Sequence, residues 1–202
     1  MCKGGRLPYI KIKRKSKMKK LVLTAALFLA ASTAMAGNFY AAGEYETAED
    51  RNTKADSYTT GLIVGYKEGA WQYSGKVSSG QAEWGNGSIT NRYEGRVKHT
   101  WSAMGVKPYA QLRLGETVKS TTNFSYYAVD TGVAVPVTEK VEVDFSYRYR
   151  NAFDTANNFQ TDRFGIEGKV KVTDKDSLGL RYTQSYGDSE SNAWRLQYTR
   201  SF

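Results

Sequence analysis

The stretch that decides the fold is Val141-Glu-Val-Asp-Phe-Ser-Tyr-Arg-Tyr-Arg150. Apolar and aromatic side chains stand at every odd position, and charged or hydroxyl side chains stand at every even position. A period of two is typical of a β-strand, because successive side chains of a strand point to opposite faces. The segment therefore predicts a strand with one apolar face and one polar face.

The same alternation continues from residue 38 to the C-terminus, and helical periodicity is absent there. We predict an all-β fold of about ten strands, while eight or twelve are also compatible with the pattern. The predicted strands are 38–46, 58–67, 71–80, 91–101, 107–115, 124–135, 141–150, 161–172, 178–186 and 193–202. Most are about as long as the 9–11 residues with which a tilted strand crosses a bilayer.

The N-terminal segment has the three parts of a secretory signal peptide. A basic start at Met18 precedes an apolar run over 21–31, and Ala34 and Ala36 form an A-x-A cleavage site before Gly37. The apolar run is too short to cross a bilayer as a helix, which needs about 20 residues. We therefore predict export through the general secretory pathway and cleavage after Ala36.

The predicted cleavage divides the chain into an extension with a signal peptide (1–36) and one mature domain (37–202). The whole chain has 29 Lys and Arg, 20 Asp and Glu, and a net charge of +9. Nine basic residues and no acidic residue lie in 1–36, so the mature domain is neutral. This neutrality gives no support to nucleic-acid binding. Since Cys2 lies in the leader, the domain has no thiol for a disulfide, a nucleophile or a metal site.

A soluble barrel has its apolar face inside, whereas a membrane barrel has it outside. Many charges on the polar face and aromatic residues near the strand ends favour the membrane, whose two interfaces attract such rings. These aromatics are Tyr45, Tyr58, Tyr66, Trp71, Trp101, Tyr149, Phe164, Tyr186 and Trp194. We expect a transmembrane antiparallel up-and-down β-barrel in which long loops (47–57, 81–90, 116–123, 151–160, 187–192) alternate with short turns.

The last ten residues, Ala193-Trp-Arg-Leu-Gln-Tyr-Thr-Arg-Ser-Phe202, resemble the C-terminal signature of bacterial outer-membrane barrel proteins. The matching positions are Trp194, Leu196, Tyr198 and Phe202, while Arg200 occupies a position that is commonly aromatic. The resemblance implies a place in the cell outer membrane, among its lipids and lipopolysaccharide, and recognition by the barrel-assembly machinery. A weaker resemblance, based on inward basic residues, 141–150 and the last strand, is to small monomeric porins for acidic oligosaccharides.

The polar face of the predicted strands carries more basic than acidic side chains. The basic residues are Lys76, Arg92, Arg96, Lys98, Lys107, Arg113, Arg148, Arg150, Arg163, Lys169, Lys171, Arg181 and Arg195. The acidic residues are Glu44, Glu46, Glu94, Asp130, Glu142, Asp144 and Glu167. We expect Arg148, Arg150, Arg163 and Arg195 to cluster toward the external mouth of the barrel. The basic track should continue toward the periplasm through Lys169, Lys171, Arg181 and Lys98. We also expect Glu142 or Asp144 to pair with Lys169 or Lys171 across one hairpin.

A basic lumen favours a narrow porin-like channel for passive diffusion of small, preferentially anionic solutes. The alternative is a closed structural or adhesin-type barrel acting through its external loops, because side chains fill the interior of barrels near eight strands. A barrel enzyme is a third, disfavoured alternative. The single histidine, His99, has no acidic neighbour of the same parity to orient it as a general base. One histidine without a mature cysteine predicts no transition-metal site, and we expect no cofactor.

The predicted processing is testable on protein isolated from the outer-membrane fraction. N-terminal sequencing should give Gly37 as the first residue, because the A-x-A site ends at Ala36. A mature N-terminus upstream of residue 30 would contradict the prediction.

Overall fold

A computed structural model of the chain describes residues 38–82, 89–119, 122–154 and 159–202. The N-terminal extension, with Met18 and the cleavage-site residues Ala34, Ala36 and Gly37, lies outside the described residues. The processing of the chain therefore stays a prediction. No helix in the described part of the chain is long and apolar enough to cross a membrane.

Ten antiparallel strands form one closed barrel in which each strand pairs with its neighbours in sequence and β1 pairs with β10. The strands are β1 Phe39–Asp50, β2 Asp56–Glu68, β3 Trp71–Ala82, β4 Ile89–Thr100, β5 Lys107–Val118, β6 Asn123–Pro136, β7 Val141–Ala152, β8 Gln160–Lys171, β9 Asp176–Gly187 and β10 Ser191–Ser201. The prediction of a ten-strand up-and-down barrel is confirmed.

The pairing of β1 with β10 closes the sheet and brings the N-terminus of β1 and the C-terminus of β10 to the same end of the barrel. Their register runs from Tyr40 opposite Ser201 to Asp50 opposite Ser191. The amide of Phe202 also donates to the carbonyl of Phe39 at 3.0 Å. We call the end that carries these termini the termini end and the opposite end the loop end.

The strands extend further toward the loop end than the sequence predicted. The predicted connection 47–57 shrinks to 51–55, because Thr47 and Glu49 still pair with β2. The five loop-end connections are 51–55, 83–88, 119–122, 153–159 and 188–190, and the termini-end turns are 69–70, 101–106, 137–140 and 172–175. The expectation of long loops is therefore wrong. Polar strand ends resemble loops in composition, yet their backbone groups continue the hydrogen-bonded ladder.

The loop 51–55 is fastened against the neighbouring hairpin by Arg51. Its guanidinium donates to the Ser185 carbonyl at 2.8 Å, lies over the Tyr186 ring and approaches the Glu190 carboxylate at 3.5 Å. The Arg51 amide donates to the Glu190 carbonyl at 3.0 Å. The loop-end rim of the β1–β10 seam is thereby held by side-chain and backbone contacts.

Large apolar side chains cover the outside of the barrel. Leu180 and Leu196 lie opposite each other on β9 and β10, and each is 52% exposed. Further outward residues with more than a third of their surface exposed are Val77, Leu112, Leu114, Val129, Phe145, Ile166 and Val170. Exposing this much apolar surface to water is unfavourable, whereas the hydrocarbon layer of a bilayer accepts it.

The outward face can be tested by placing a charge at two depths. Phe145 lies near the middle of β7 and pairs with Ile166, whereas Val170 is next to the last residue of β8. Phe145→Arg should lower the free energy of unfolding in lipid vesicles by about 2–4 kcal/mol, and Val170→Arg by no more than about 1 kcal/mol. Urea titrations followed by tryptophan fluorescence measure both. Equal losses would contradict a bilayer around this face.

Candidate functional site in the barrel interior

The candidate site is the interior of the barrel. The even-numbered side chains of β4 and β7 point into it, as do the equivalent side chains of the other strands. Eleven of the thirteen basic residues predicted on the polar face border at least one of two interior chambers. Lys107 begins β5 and Lys171 ends β8, and both are exposed at the termini end, outside these chambers. The predicted place of Lys171 along the interior track is therefore wrong.

The chamber at the loop end is strongly cationic. It leaves about 30 Å³ for the centres of water molecules. Its lining residues are Glu46, Thr59, Lys76, Arg92, Glu94, Arg113, Arg148, Arg150, Thr161, Arg163 and Arg195. We call it the loop-end chamber. The four arginines expected at one mouth all line it, together with only two carboxylates.

A second chamber, the termini-end chamber, has about 170 Å³ for water centres. Its charged lining comprises Lys67, Arg96, Lys98, Arg113, Glu142, Asp144, Glu167, Lys169, Arg181 and Arg195. Sequence reasoning missed Lys67, although its position has the same parity as the inward residues Thr59 and Ile63 of β2. The parity rule, carried to the last residues of the strand, would have found it.

A layer of ion pairs separates the two chambers, and Arg113 and Arg195 border both. Arg113 contacts Asp130 at 2.5 Å and Glu94 at 3.1 Å. Arg148 shares Asp130 at 2.6 Å. These groups are at most 16% exposed, so the layer is a buried, ion-paired constriction built from side chains of β4 to β7.

The other half of the layer is centred on Arg195. Its guanidinium lies 3.7 Å from Glu44 and 3.8 Å from Glu167. Glu44 also forms an ion pair with Lys76, and Glu167 forms one with Arg181 at 2.5 Å. Both carboxylates therefore have a second cationic partner besides Arg195.

The ion pairs expected across the β7–β8 hairpin are not formed. Glu142 pairs with Lys107 of β5 at 2.9 Å, and Asp144 pairs with Arg181 of β9 at 3.0 Å. Both contacts reach across an intervening strand. The contact between Glu142 and Lys107 can cross β6 because the inward residues of β6 at this level are Gly132 and Ala134. These small residues leave room for the long side chains of β5 and β7.

Three tyrosines fill interior space beside glycines of the adjacent strand. Tyr40, Tyr109 and Tyr126 lie directly opposite Gly65, Gly132 and Gly115 in the strand register. A Cβ atom at Gly115 would lie 2.6 Å from the Tyr126 ring, which is too close for any residue other than glycine. Sequence reasoning placed the notable aromatic residues outside, and the glycine opposite each tyrosine was the missed signal.

Every inward carboxylate predicted from the sequence lies within 4 Å of a basic group, but several cations have no such partner among the described residues. Arg92, Arg150, Lys67, Lys98 and Lys169 make no ion pair there. Arg150 donates instead to Thr161 Oγ1 at 3.2 Å and lies over the Tyr126 and Phe159 rings. Lys98 lies 3.7 Å above the Tyr109 ring. The interior consequently carries a net positive charge that its own acids do not balance.

The last strand shows how Arg200 fits at a commonly aromatic position. Trp194, Leu196 and Tyr198 face outward and are about half exposed. Arg200 approaches Asp176 of β9 at 3.4 Å, and the Tyr198 hydroxyl donates to the same carboxylate at 2.6 Å. The charge of Arg200 is thus neutralised at the termini end, where an interfacial arginine is tolerated.

A closed antiparallel barrel with an apolar outer band, aromatic residues near its rims and a polar interior defines the class of outer-membrane β-barrels. The chain matches no family model and no curated protein in sequence. Solved structures share the fold. An outer membrane channel from Pseudomonas putida is 8% identical with a TM-score of 0.56, over 82% of this chain and 96% of that chain.

Two further solved structures are similar to this chain, an autotransporter domain and a porin. The β-domain of the Bordetella autotransporter BrkA is 13% identical with a TM-score of 0.50, over 83% of this chain and all of that chain. The KdgM porin in complex with disordered oligogalacturonate is 9% identical with a TM-score of 0.46, over 82% of this chain and 98% of that chain. At these identities the two matches with TM-scores of 0.50 and 0.56 show a likeness of fold alone, and no substrate follows from any of the three.

The constriction can be tested through stability. Asp130→Asn removes the carboxylate that Arg113 and Arg148 share, and it should lower the free energy of unfolding by about 3–5 kcal/mol because two buried cations lose their partner. Glu142→Gln is the matched control. Its partner Lys107 is half exposed, so the loss should be no more than about 1 kcal/mol. Equal losses in urea titrations would contradict a buried, interdependent layer.

Proposed function

We propose that the protein is a narrow outer-membrane channel for passive diffusion of small, preferentially anionic solutes. The observation that carries this proposal is the surplus of cations in the barrel interior, where all seven predicted carboxylates are already engaged. Fixed charges of one sign along a confined aqueous path raise the local concentration of the opposite ion.

The route would pass through the two chambers in series. Solutes would meet Arg92, Arg150 and Arg163 first when they enter from the loop end, then the constriction at Arg113 and Arg195, and then Lys98 and Lys169. Ten strands lie between the filled interiors of eight-strand barrels and the open pores of 16 to 18 strands. The proposal therefore predicts a small conductance that depends on movement of side chains in the ion-pair layer.

We further propose that the termini end faces the periplasm and that the barrel-assembly machinery reads Trp194, Leu196, Tyr198 and Phe202. Short periplasmic turns are the rule in such barrels, and several termini-end turns here have only two to four residues. Outer-membrane phospholipids and lipopolysaccharide would contact the apolar band. The apolar outward surface described above supports this proposal.

The second candidate function is a closed structural barrel, and the ion-pair layer between the chambers favours it. A version that acts by adhesion through external loops is less well supported, because those connections have only three to seven residues. An enzymatic role has the least support. His99 lies outside the barrel between Trp71 and Trp101, and its buried Nδ1 atom has no hydrogen-bond partner among the described residues.

Single-channel recordings of the mature protein in planar bilayers test the channel. We expect small conductance steps and a reversal potential in a potassium chloride gradient with the sign of chloride preference. Arg195→Ala should raise the conductance, because Arg195 borders both chambers and its two carboxylates keep Lys76 and Arg181. Leu180→Ala on the outer surface should leave the conductance unchanged.

The recordings also separate the two candidates. If neither the wild-type barrel nor Arg195→Ala conducts at any voltage, while both remain folded and heat-modifiable on gels, the channel is refuted in favour of the closed barrel. Cation preference would refute the role of the basic interior.

A further inference from the structure

The loop-end chamber contains a cluster of guanidinium groups that the described carboxylates neutralise only in part. The cluster consists of Arg92, Arg150 and Arg163, which come from β4, β7 and β8 and border one cavity. Arg92 and Arg163 lie close enough to Arg150 to repel its charge. Among the described residues, Glu46 is the one carboxylate that forms an ion pair with the cluster, and its oxygen lies 3.9 Å from Arg163, beyond hydrogen-bond distance.

Donors of this cluster have unused capacity. The Arg92 Nε atom is fully buried and has no hydrogen-bond partner among the described residues. Arg163 Nε donates to Ser185 Oγ at 2.9 Å, and Arg150 Nε donates to Thr161 Oγ1 at 3.2 Å. These two hydrogen bonds orient the guanidinium groups, but their acceptors are neutral. A buried donor without an acceptor and buried like charges without a counter-ion are both unfavourable.

We propose that the loop-end chamber is a binding site for one small oxyanion of the phosphate or sulfate type, held by Arg92, Arg150 and Arg163. A guanidinium presents paired N–H donors that match two oxygens of such an anion. Thr59 and Thr161 supply hydroxyl donors to the same cavity. The anion would supply the negative charge that the chamber lacks.

The size of the chamber limits the ligand. A cavity needs a volume of roughly 10–15 Å³ to hold one water, and the chamber offers about 30 Å³ for water centres. This admits a compact ion and excludes a sugar chain. The inference deepens the proposed function by naming the solute class, but binding needs access from the loop end only and does not require conduction across the ion-pair layer.

Titration calorimetry of the folded mature barrel in detergent micelles tests the site with inorganic phosphate, sulfate and chloride at matched ionic strength. We expect one saturable site for phosphate or sulfate, chloride binding at least tenfold weaker, and a rise of the unfolding temperature with phosphate. Arg150→Gln should weaken oxyanion binding at least tenfold. The barrel should still fold, since no carboxylate loses a partner.

Lys98→Gln is the matched control, because Lys98 is an inward cation of the termini-end chamber without an ion-pair partner. It should change phosphate binding by less than about twofold. No saturable oxyanion binding by the wild type, or an equal loss in Lys98→Gln, would overturn the site. Anion-selective conductance without saturable binding would overturn the site alone, whereas binding without conductance would overturn the channel alone.

Discussion

Closure of the sheet between β1 and β10 is the constraint on which the rest of the structure depends. A hydrocarbon layer offers no partner to a backbone N–H or C=O group, so a sheet can cross it only without free edges. The seam from Tyr40–Ser201 to Asp50–Ser191 supplies the last ladder of hydrogen bonds. Once the sheet is closed, alternate side chains must point either to lipid or to the lumen, and the period of two in the sequence follows from this.

The closed sheet turns the interior into a confined polar space with its own electrostatic balance. Glu94 and Asp130 join basic side chains of β4, β5 and β7. This network spans the four neighbouring strands β4 to β7 and holds them together from inside. Replacing such pairs by apolar groups would fill the same volume, and buried ion pairs are often no more stabilising than their apolar substitutes. Stability alone therefore does not require ion pairs at these positions.

The sequence predicted the strands and their faces well because alternation is a local property. Val141 to Arg150 already separates lipid-facing from lumen-facing positions without any knowledge of the partner strands. The contacts of Glu142 and Asp144 were predicted wrongly, because their partners Lys107 and Arg181 lie two strands away. Such contacts depend on which intervening residues are small, and on the direction in which each long side chain leans. The ends of the strands were also missed, since a polar residue in a ladder and one in a loop have the same composition.

The short connections at the loop end determine how little of the protein rises above the membrane. Five residues span at most about 17 Å when fully extended, and a loop that returns to the next strand reaches about half that height. Arg51 holds the loop 51–55 against β9 and Glu190, which lowers it further. If the loop end is extracellular, the sugar chains of lipopolysaccharide would stand above this rim. Antibodies and bacteriophages would then find almost no exposed epitope, so the barrel would be concealed on an intact cell.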